Sequence, residues 1–275
     1  AGEPDEAQAN TEQFLREIAF DWSGCFPYSR EDDTPGAKLK NQVSHKIAVA
    51  RAHRLEKLQA EIALLEKQVY TEAKAISAVR KAAAANMAQG VESVLAQLGM
   101  KGTRFSVSII EKNGTELEQK CGPYGIDNIE FLISANPGSP LQGLAKIASG
   151  GELSRVMLAL KTILAESDSV QTLIFDEIDT GIGGEVAVSV GDHLQKLAKN
   201  RQVLCITHLA SIAVYADNQV KIEKGVNAGT TQTRVFSIDQ EQRVEEIARM
   251  LSGDPTNAES LEHARSMLQR FRQGA

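Results

Sequence analysis

From Gln42 to Gln89 the chain contains neither proline nor glycine. Within that stretch Leu55, Leu58, Ile62, Leu65, Val69, Ile76 and Val79 recur on alternating three- and four-residue steps, with Glu72 at the one break in register. Pro and Gly are the residues that cost a helix most, and an apolar stripe this narrow is an a/d seam rather than the broader face of a helix lying on its own domain. The spacing predicts one helix of ~70 Å, at 1.5 Å per residue. Such a seam needs a second helix, and no other stretch of the chain has matching length.

The flanks of the seam differ in kind. Residues 1–40 form an acidic lead-in, with Glu3, Asp5, Glu6, Glu12, Glu17, Asp21, Glu31, Asp32 and Asp33 against only Arg16 and Arg30 before Gly36. A short helix over Thr11–Asp21 is predicted there, broken off by Pro27, Pro35 and Gly36; no chemistry follows from it. Residues 41–90 read as the arm helix and 91–275 as a compact α/β lobe. In the lobe, Val91, Val94, Leu95 and Leu98 end a helix that Gly99 can cap. Arg104–Glu111 alternates as a half-buried strand, and Asn113-Gly114 signals a turn. Ile129–Ser134 reads as a strand and Gly151–Glu166 as a helix. The runs Thr172–Phe175 and Val203–Thr207 read as buried strands, with a helix over Glu185–Lys199 between them. Two more strands, Gln219–Glu223 and Thr231–Ser237, and two helices, Gln242–Leu251 and Ala258–Phe271, follow. Apolar strands separated by helices predict a mostly parallel sheet covered on both faces.

Charge and cysteines narrow the function classes. A formal net charge of −6 argues against a surface that coats nucleic acid throughout, so a DNA contact would have to be local. Between Lys38 and Lys57 the cations Lys38, Lys40, Lys46, Arg51, Arg54 and Lys57 face one acid, Glu56, and Lys46, Arg54 and Lys57 share a helical face with His53. The ordinary meaning of such a run is a solvated coil flank, and a phosphate-binding stripe is the alternative. Cys25, Cys121 and Cys205 have no metal-ligand spacing, which reads as a reducing, cytoplasmic setting without disulfides or zinc. No apolar run reaches the ~20 residues of a membrane helix, so no membrane partner is expected.

Four motifs carry chemistry. Thr172-Leu-Ile-Phe-Asp-Glu177 is an apolar strand ending in two acids that leave the sheet in different directions. One acid can hold a metal while the other faces a water, although a helix start often looks the same. Ala148-Ser-Gly-Gly-Glu-Leu-Ser-Arg155 stands before an apolar helix. Paired glycines there let an anion approach backbone N–H groups and the positive helix end, and Ser149 with Glu152 equally suits a capping box. Ile178-Asp-Thr-Gly181 and Leu204-Cys-Ile-Thr-His208 follow in order.

That order and spacing resembles the signature motif, Walker B strand, D-loop and switch histidine of ABC-class ATPases. Over about residues 77–271 the chain resembles the RecN family in particular, on Lys146–Arg155, Ile174–Gly184, Gln202–Leu209, Glu246–Gly253 and Asn136-Pro-Gly138. Ala210-Ser-Ile212 departs from the Pro-Gln-Val usual in that family. The resemblance implies the C-terminal lobe of an ABC/SMC-type P-loop ATPase head preceded by a long coiled-coil helix, in a bacterial, nucleoid-associated DNA repair ATPase that acts with ATP and Mg²⁺. By position, Ser149, Gly150, Gly151 and Glu152 would contact a partner's nucleotide, Asp176 would support Mg²⁺ through water, and Glu177 would activate the attacking water. Asp179 would couple the two sites, and His208 would sense the γ-phosphate. No Gly-Lys pair occurs anywhere, so no Gly-x-x-x-x-Gly-Lys-Ser/Thr phosphate loop is available. The implied partners are an N-terminal P-loop half of the head, absent from this chain, a second head in a homodimer, and DNA. A non-enzymatic coiled-coil scaffold with a vestigial ATPase lobe is the alternative, weighed against by the intact Asp176, Glu177 and His208. A transporter ATPase is a third, opposed by Glu152 where Gln is usual.

Overall fold

The structure, a computed structural model, describes residues 4–18, 24–40, 42–227 and 230–272. It divides into two compact units, 1–80 with 110–128, and 81–109 with 129–275.

The first unit contains helix α1 (Asp5–Ile18) and most of helix α2 (His45–Gln97). The predicted long helix is therefore present and spans 53 residues, ~80 Å of axial rise. Gly90 does not end it. The lead-in helix starts earlier than predicted, and the predicted end at Asp21 lies outside the described residues. α1 buries Gln8, Glu12 and Leu15, and its acids meet the basic run of α2: Arg54 Nε lies 2.8 Å from Glu12 Oε1 and Arg51 Nη2 lies 2.6 Å from Asp5 Oδ1. Lys57 and His53 pair with Glu61 and Glu56 on α2 itself. These pairs neutralise the Arg51–Lys57 end of the run, as a coil flank would. Further along, Leu65, Val69, Ile76 and Val79 of the seam stay exposed.

A different set of α2 side chains is braced by the chain between strand β1 (Arg104–Glu111) and strand β2 (Asp127–Ser134). Tyr70 Oη donates to Glu111 Oε1 at 2.7 Å, and Lys74 Nζ lies 2.9 Å from Glu111 Oε2. Ser77 Oγ donates to Asp127 Oδ1 at 2.6 Å, and Arg80 Nη1 to Asp127 Oδ2 at 3.0 Å and the Tyr124 carbonyl at 2.9 Å. The Asp127 side chain is wholly buried, where an unpaired carboxylate could not remain charged. Asn113-Gly114 does not make the tight hairpin turn its sequence signals. The connection runs through a four-residue helix, α3 (Leu117–Lys120), and closes at Gly122–Gly125, where Gly125 has φ 92°.

In the second unit α2 ends as predicted: Gly99 adopts φ 82° and the Met100 N–H bonds the Leu95 carbonyl at 2.9 Å, a left-handed C-terminal cap. A methyl at 99 would lie 2.8 Å from Val186 Cγ1, so glycine is needed there twice over. The last turns of α2 pack Val91, Val94, Leu95 and Leu98 with Phe105 and Ile133 of β1 and β2. The same core takes in helix α4 (Gly150–Ile163), strand β4 (Thr172–Phe175) and helix α5 (Gly184–Ala198). Strand β3 (Gln142–Gly143) extends the first sheet, antiparallel to β2. β4 pairs in parallel with β5 (Gln202–Cys205), from Thr172↔Gln202 to Phe175↔Cys205. The loop before β4 is fastened by Asp168, which takes Lys161 Nζ at 2.6 Å, Arg201 Nη1 at 3.0 Å and the Val170 N–H at 3.0 Å. Lys161, followed by the Val170 N–H, holds its carboxyl down at about 2.

The α/β organisation with a long preceding helix is thus as predicted, but the β4–β5 pair is not covered on both faces. Leu173 and Phe175 enter the core, whereas Ile174, Leu204 and Ile206 on the other face are 68, 49 and 52% exposed. Helix α6 (Ala210–Ala213) follows β5, and helices α7 (Gln240–Ser252) and α8 (Ala258–Arg272) build a second small core with it around Ile247, Ala248 and Ala264. Strands β6 (Val220–Asn227) and β7 (Thr230–Ser237) form a separate antiparallel pair. Among the described residues no helix is long and apolar enough to cross a membrane.

His193 of α5 provides a pH test of this packing. It is buried, its Nε2 lies 3.2 Å from Gln97 Oε1, its Nδ1 has no partner, and burial lowers its pKa from 6.5. The unfolded chain therefore binds the proton first. Stability should be at its full value above about pH 6.5 and fall as the pH drops from there through the lowered folded value. Urea unfolding across this range should show that slope in the parent and a flatter one in His193→Gln.

Candidate nucleotide site

The site is built where α4 begins beside the loop that leaves β4. Ser149 caps α4, its Oγ accepting the Glu152 N–H at 3.4 Å. Both of the following glycines face the loop, and at Gly151 the obstacle is its backbone. A Cβ on Gly151, which is buried, would lie 2.9 Å from the Glu177 carbonyl oxygen and 3.0 Å from Thr180 Cβ. A Cβ on Gly150 would collide with Glu177 Oε2. The Glu177 carboxylate thus rests over the first residue of α4, beside the partly positive helix end.

Asp176 and Glu177 follow directly after β4, and the second leaves the extended backbone for a left-handed turn. Both are exposed, and Asp176 Oδ1 accepts the Glu177 N–H at 2.9 Å. Glu177 has φ 57°, the left-handed region, which costs an L-residue about 1–2 kcal/mol. Two neighbours in the signature stretch, to which the sequence reading assigned no role, hold this turn. Ser154 Oγ donates to the Asp176 carbonyl at 2.6 Å, and the buried Arg155 donates from Nη1 to the carbonyls of Ile178 at 3.2 Å and Thr180 at 3.0 Å. Burial lowers the Arg155 pKa, and its Nε has no partner. The signal for both was their place one helical turn inside the motif.

Asp179 is turned inward and only 4% exposed. Its Oδ2 accepts the Thr207 hydroxyl at 2.6 Å and the His208 N–H at 2.8 Å, and lies 2.9 Å from His208 Nδ1. The His208 side chain is itself 76% exposed, so the ring is oriented from behind and open in front, with Nε2 left for another partner. Thr207 also accepts the Leu209 N–H at 3.1 Å, which fixes the turn after β5. Cys205, between these groups, is pushed up to about 12 by burial and then by the charges of Asp179 and Asp176, which makes it an unreactive thiol. The structure therefore brings Gly150 and Gly151 against Glu177, joins Asp176 to Glu177 through the backbone and Asp179 to His208, and places Ser149 as the cap just before the glycines. Glu152 sits in the first turn of α4.

Among the described residues no cluster of three or more His, Cys, Asp or Glu could cage a metal. An exposed carboxylate alone suits Mg²⁺, which keeps most of its waters and is held through one or two protein carboxylates and substrate phosphates. Asp176 fits that donor set.

No protein-family model matches the chain. Curated proteins do. The DNA repair protein RecN of Treponema pallidum is 52% identical over 213 residues, 78% of this chain and 37% of that protein. RecN of Halalkalibacterium halodurans is 37% identical over 215 residues, again 78% of this chain and 38% of the relative. This chain belongs to the RecN family. It spans less than two fifths of the length of these RecN proteins. Among solved structures, the Smc head domain with an extended coiled coil from Pyrococcus furiosus, bound to the C-terminal domain of ScpA, covers 98% of this chain and 53% of its own. It has 18% identity and a TM-score of 0.49.

The two glycines differ in what they meet. At Gly150 the neighbour is the far end of a flexible side chain, and at Gly151 it is backbone. Gly150→Ala should fold with nearly parental stability while Gly151→Ala loses about 1–3 kcal/mol by overpacking. Urea unfolding of the two variants tests the contrast, and equal losses would contradict it.

Proposed function

We propose that this chain supplies one side of a composite ATP hydrolysis site, as the C-terminal lobe of a RecN-type head. The observation that carries the reading is the convergence of the α4 helix start, the Asp176-Glu177 pair and the Asp179-oriented His208 on neighbouring loops of a single lobe. The exposed apolar face of β4–β5 supports a second contributor, because parallel strands ordinarily have both faces covered. That contributor is a P-loop-bearing segment, completing the head against this lobe. Two such heads close over nucleotide as a homodimer, with Ser149 and Gly150 of one head facing the γ-phosphate held by the other.

Glu177 takes a proton from a water as that water attacks the γ-phosphorus, and the bond to the β–γ bridging oxygen breaks, releasing ADP and phosphate. Mg²⁺, when bound, supplies positive charge to the phosphate oxygens, and Asp176 is the residue here that would hold it. His208, oriented by Asp179, has its outer ring face available to the γ-phosphate. Loss of the shared phosphate lets the heads part, and α2 conveys the change. In the cell this motion serves repair of broken DNA in the bacterial cytoplasm, with DNA as the partner of the assembled protein.

Without a P-loop most ground-state contacts to the β- and γ-phosphates are missing. The isolated chain should neither bind ATP in calorimetry nor release phosphate, and adding a P-loop segment of a RecN head should restore both. In the restored head Glu177→Gln should keep ATP-dependent pairing and slow turnover by about 10²–10⁴-fold, whereas Ser149→Arg should block pairing. Micromolar ATP binding with turnover by the isolated chain would contradict this reading, and pairing indifferent to ATP in the restored head would favour the scaffold.

A further inference from the structure

A strained backbone persists only where its surroundings over-determine it, and Glu177, at φ 57°, has such surroundings. The residue before it is held at its carbonyl by Ser154 Oγ, 2.6 Å away. The residue after it is held at its carbonyl by Arg155 Nη1, which also takes the Thr180 carbonyl. The Glu177 carbonyl accepts the Thr180 N–H at 3.0 Å, closing the turn from within. The side-chain donors to the carbonyls of Asp176, Ile178 and Thr180 come from two consecutive residues of α4. Arg155 is 7% exposed and sends its charge to backbone oxygens rather than to a carboxylate, an expensive use of a buried guanidinium unless the carbonyls it gathers must stay where they are.

We propose that Ser154 and Arg155 are positioning residues for Glu177: they hold the left-handed turn that aims its carboxylate, and they tie that aim to the start of α4. This rests on Glu177 being the water-directing acid. Because the Glu177 carboxylate rests over the first residue of α4, the clamp makes the turn and the helix start a single rigid body. Movement of α4 is then felt by that carboxylate.

The test uses a complete head, formed from this chain and its P-loop segment, with four variants: Arg155→Met, Arg155→Lys, Ser154→Ala and Glu177→Gln. Arg155→Met keeps the volume and removes the donors, and it should lower kcat by about 10–100-fold with KM for ATP changed less than about twofold, since positioning is lost and binding is not. Arg155→Lys, which can still donate, should recover most of the loss. Ser154→Ala, a mild change at a partly exposed position, should lower kcat about three- to tenfold and serves if Arg155→Met does not fold. In the Glu177→Gln background neither change should slow turnover further, because residues acting through one group are not additive. Unchanged kcat in Ser154→Ala, a KM rise equal to the kcat loss, or full additivity with Glu177→Gln would overturn the clamp. Turnover insensitive to Glu177→Gln would instead remove the hydrolytic reading itself, and the clamp with it.

Discussion

The start of α4 and the loop after β4 occupy the same space, and the architecture of the site follows from that crowding. A Cβ on Gly151 would run into the Glu177 carbonyl and Thr180, and one on Gly150 into the movable end of the Glu177 side chain. Once the two backbones are this close, α4 can reach over the loop with Ser154 and Arg155 and collect its carbonyls. The glycines proposed to give an anion access to the helix end therefore also have a packing role, which the sequence did not reveal.

A second buried arginine shows that the device is general in this lobe. Arg243 of α7 donates to the carbonyls of Ala213, Val214 and Ala216 at the end of α6. In both cases a guanidinium donates to backbone carbonyls where the chain leaves a short element. Its planar fork reaches several oxygens that do not lie on one line. The loop carrying Glu177 and the helix following His208 are thus both fixed by arginines rooted in neighbouring helices.

The sequence made some of this legible and hid the rest for physical reasons. The long helix could be read because Pro and Gly are absent over Gln42–Gln89, and its true end because Gly99 is the residue that accepts a left-handed cap. Gly90 misled as a boundary, since a glycine inside a helix costs only ~1 kcal/mol and the flanking Val91, Val94 and Leu95 are wholly or nearly buried. Asn113-Gly114 misled as a turn because the closure falls at Gly122–Gly125 instead. The coverage of β4–β5 could not be read either. Ile174, Leu204 and Ile206 look like core residues in sequence, and only the fold shows which face of the pair the helices of this lobe reach. The motif residues were found by order and spacing, but the inward turn of Asp179 and the carbonyl grip of Arg155 depend on loops meeting in space.

Asp127 has one more implication, for the arm. Its buried carboxylate is matched by Ser77 and Arg80, one turn apart on α2, and Glu111 adds Tyr70 and Lys74 below them. Together they act as a detent. A helix that rolled about its axis or slid by a turn would leave an ionised group sealed from water without its hydrogen bonds, a state far costlier than any intermediate of coil bending. The stretch of α2 from Tyr70 to Arg80 is therefore held against rolling or sliding past that loop. The exposed residues Leu65, Val69, Ile76 and Val79 ride on the same helix, so their rotation relative to the bracing loop is set by this indexing.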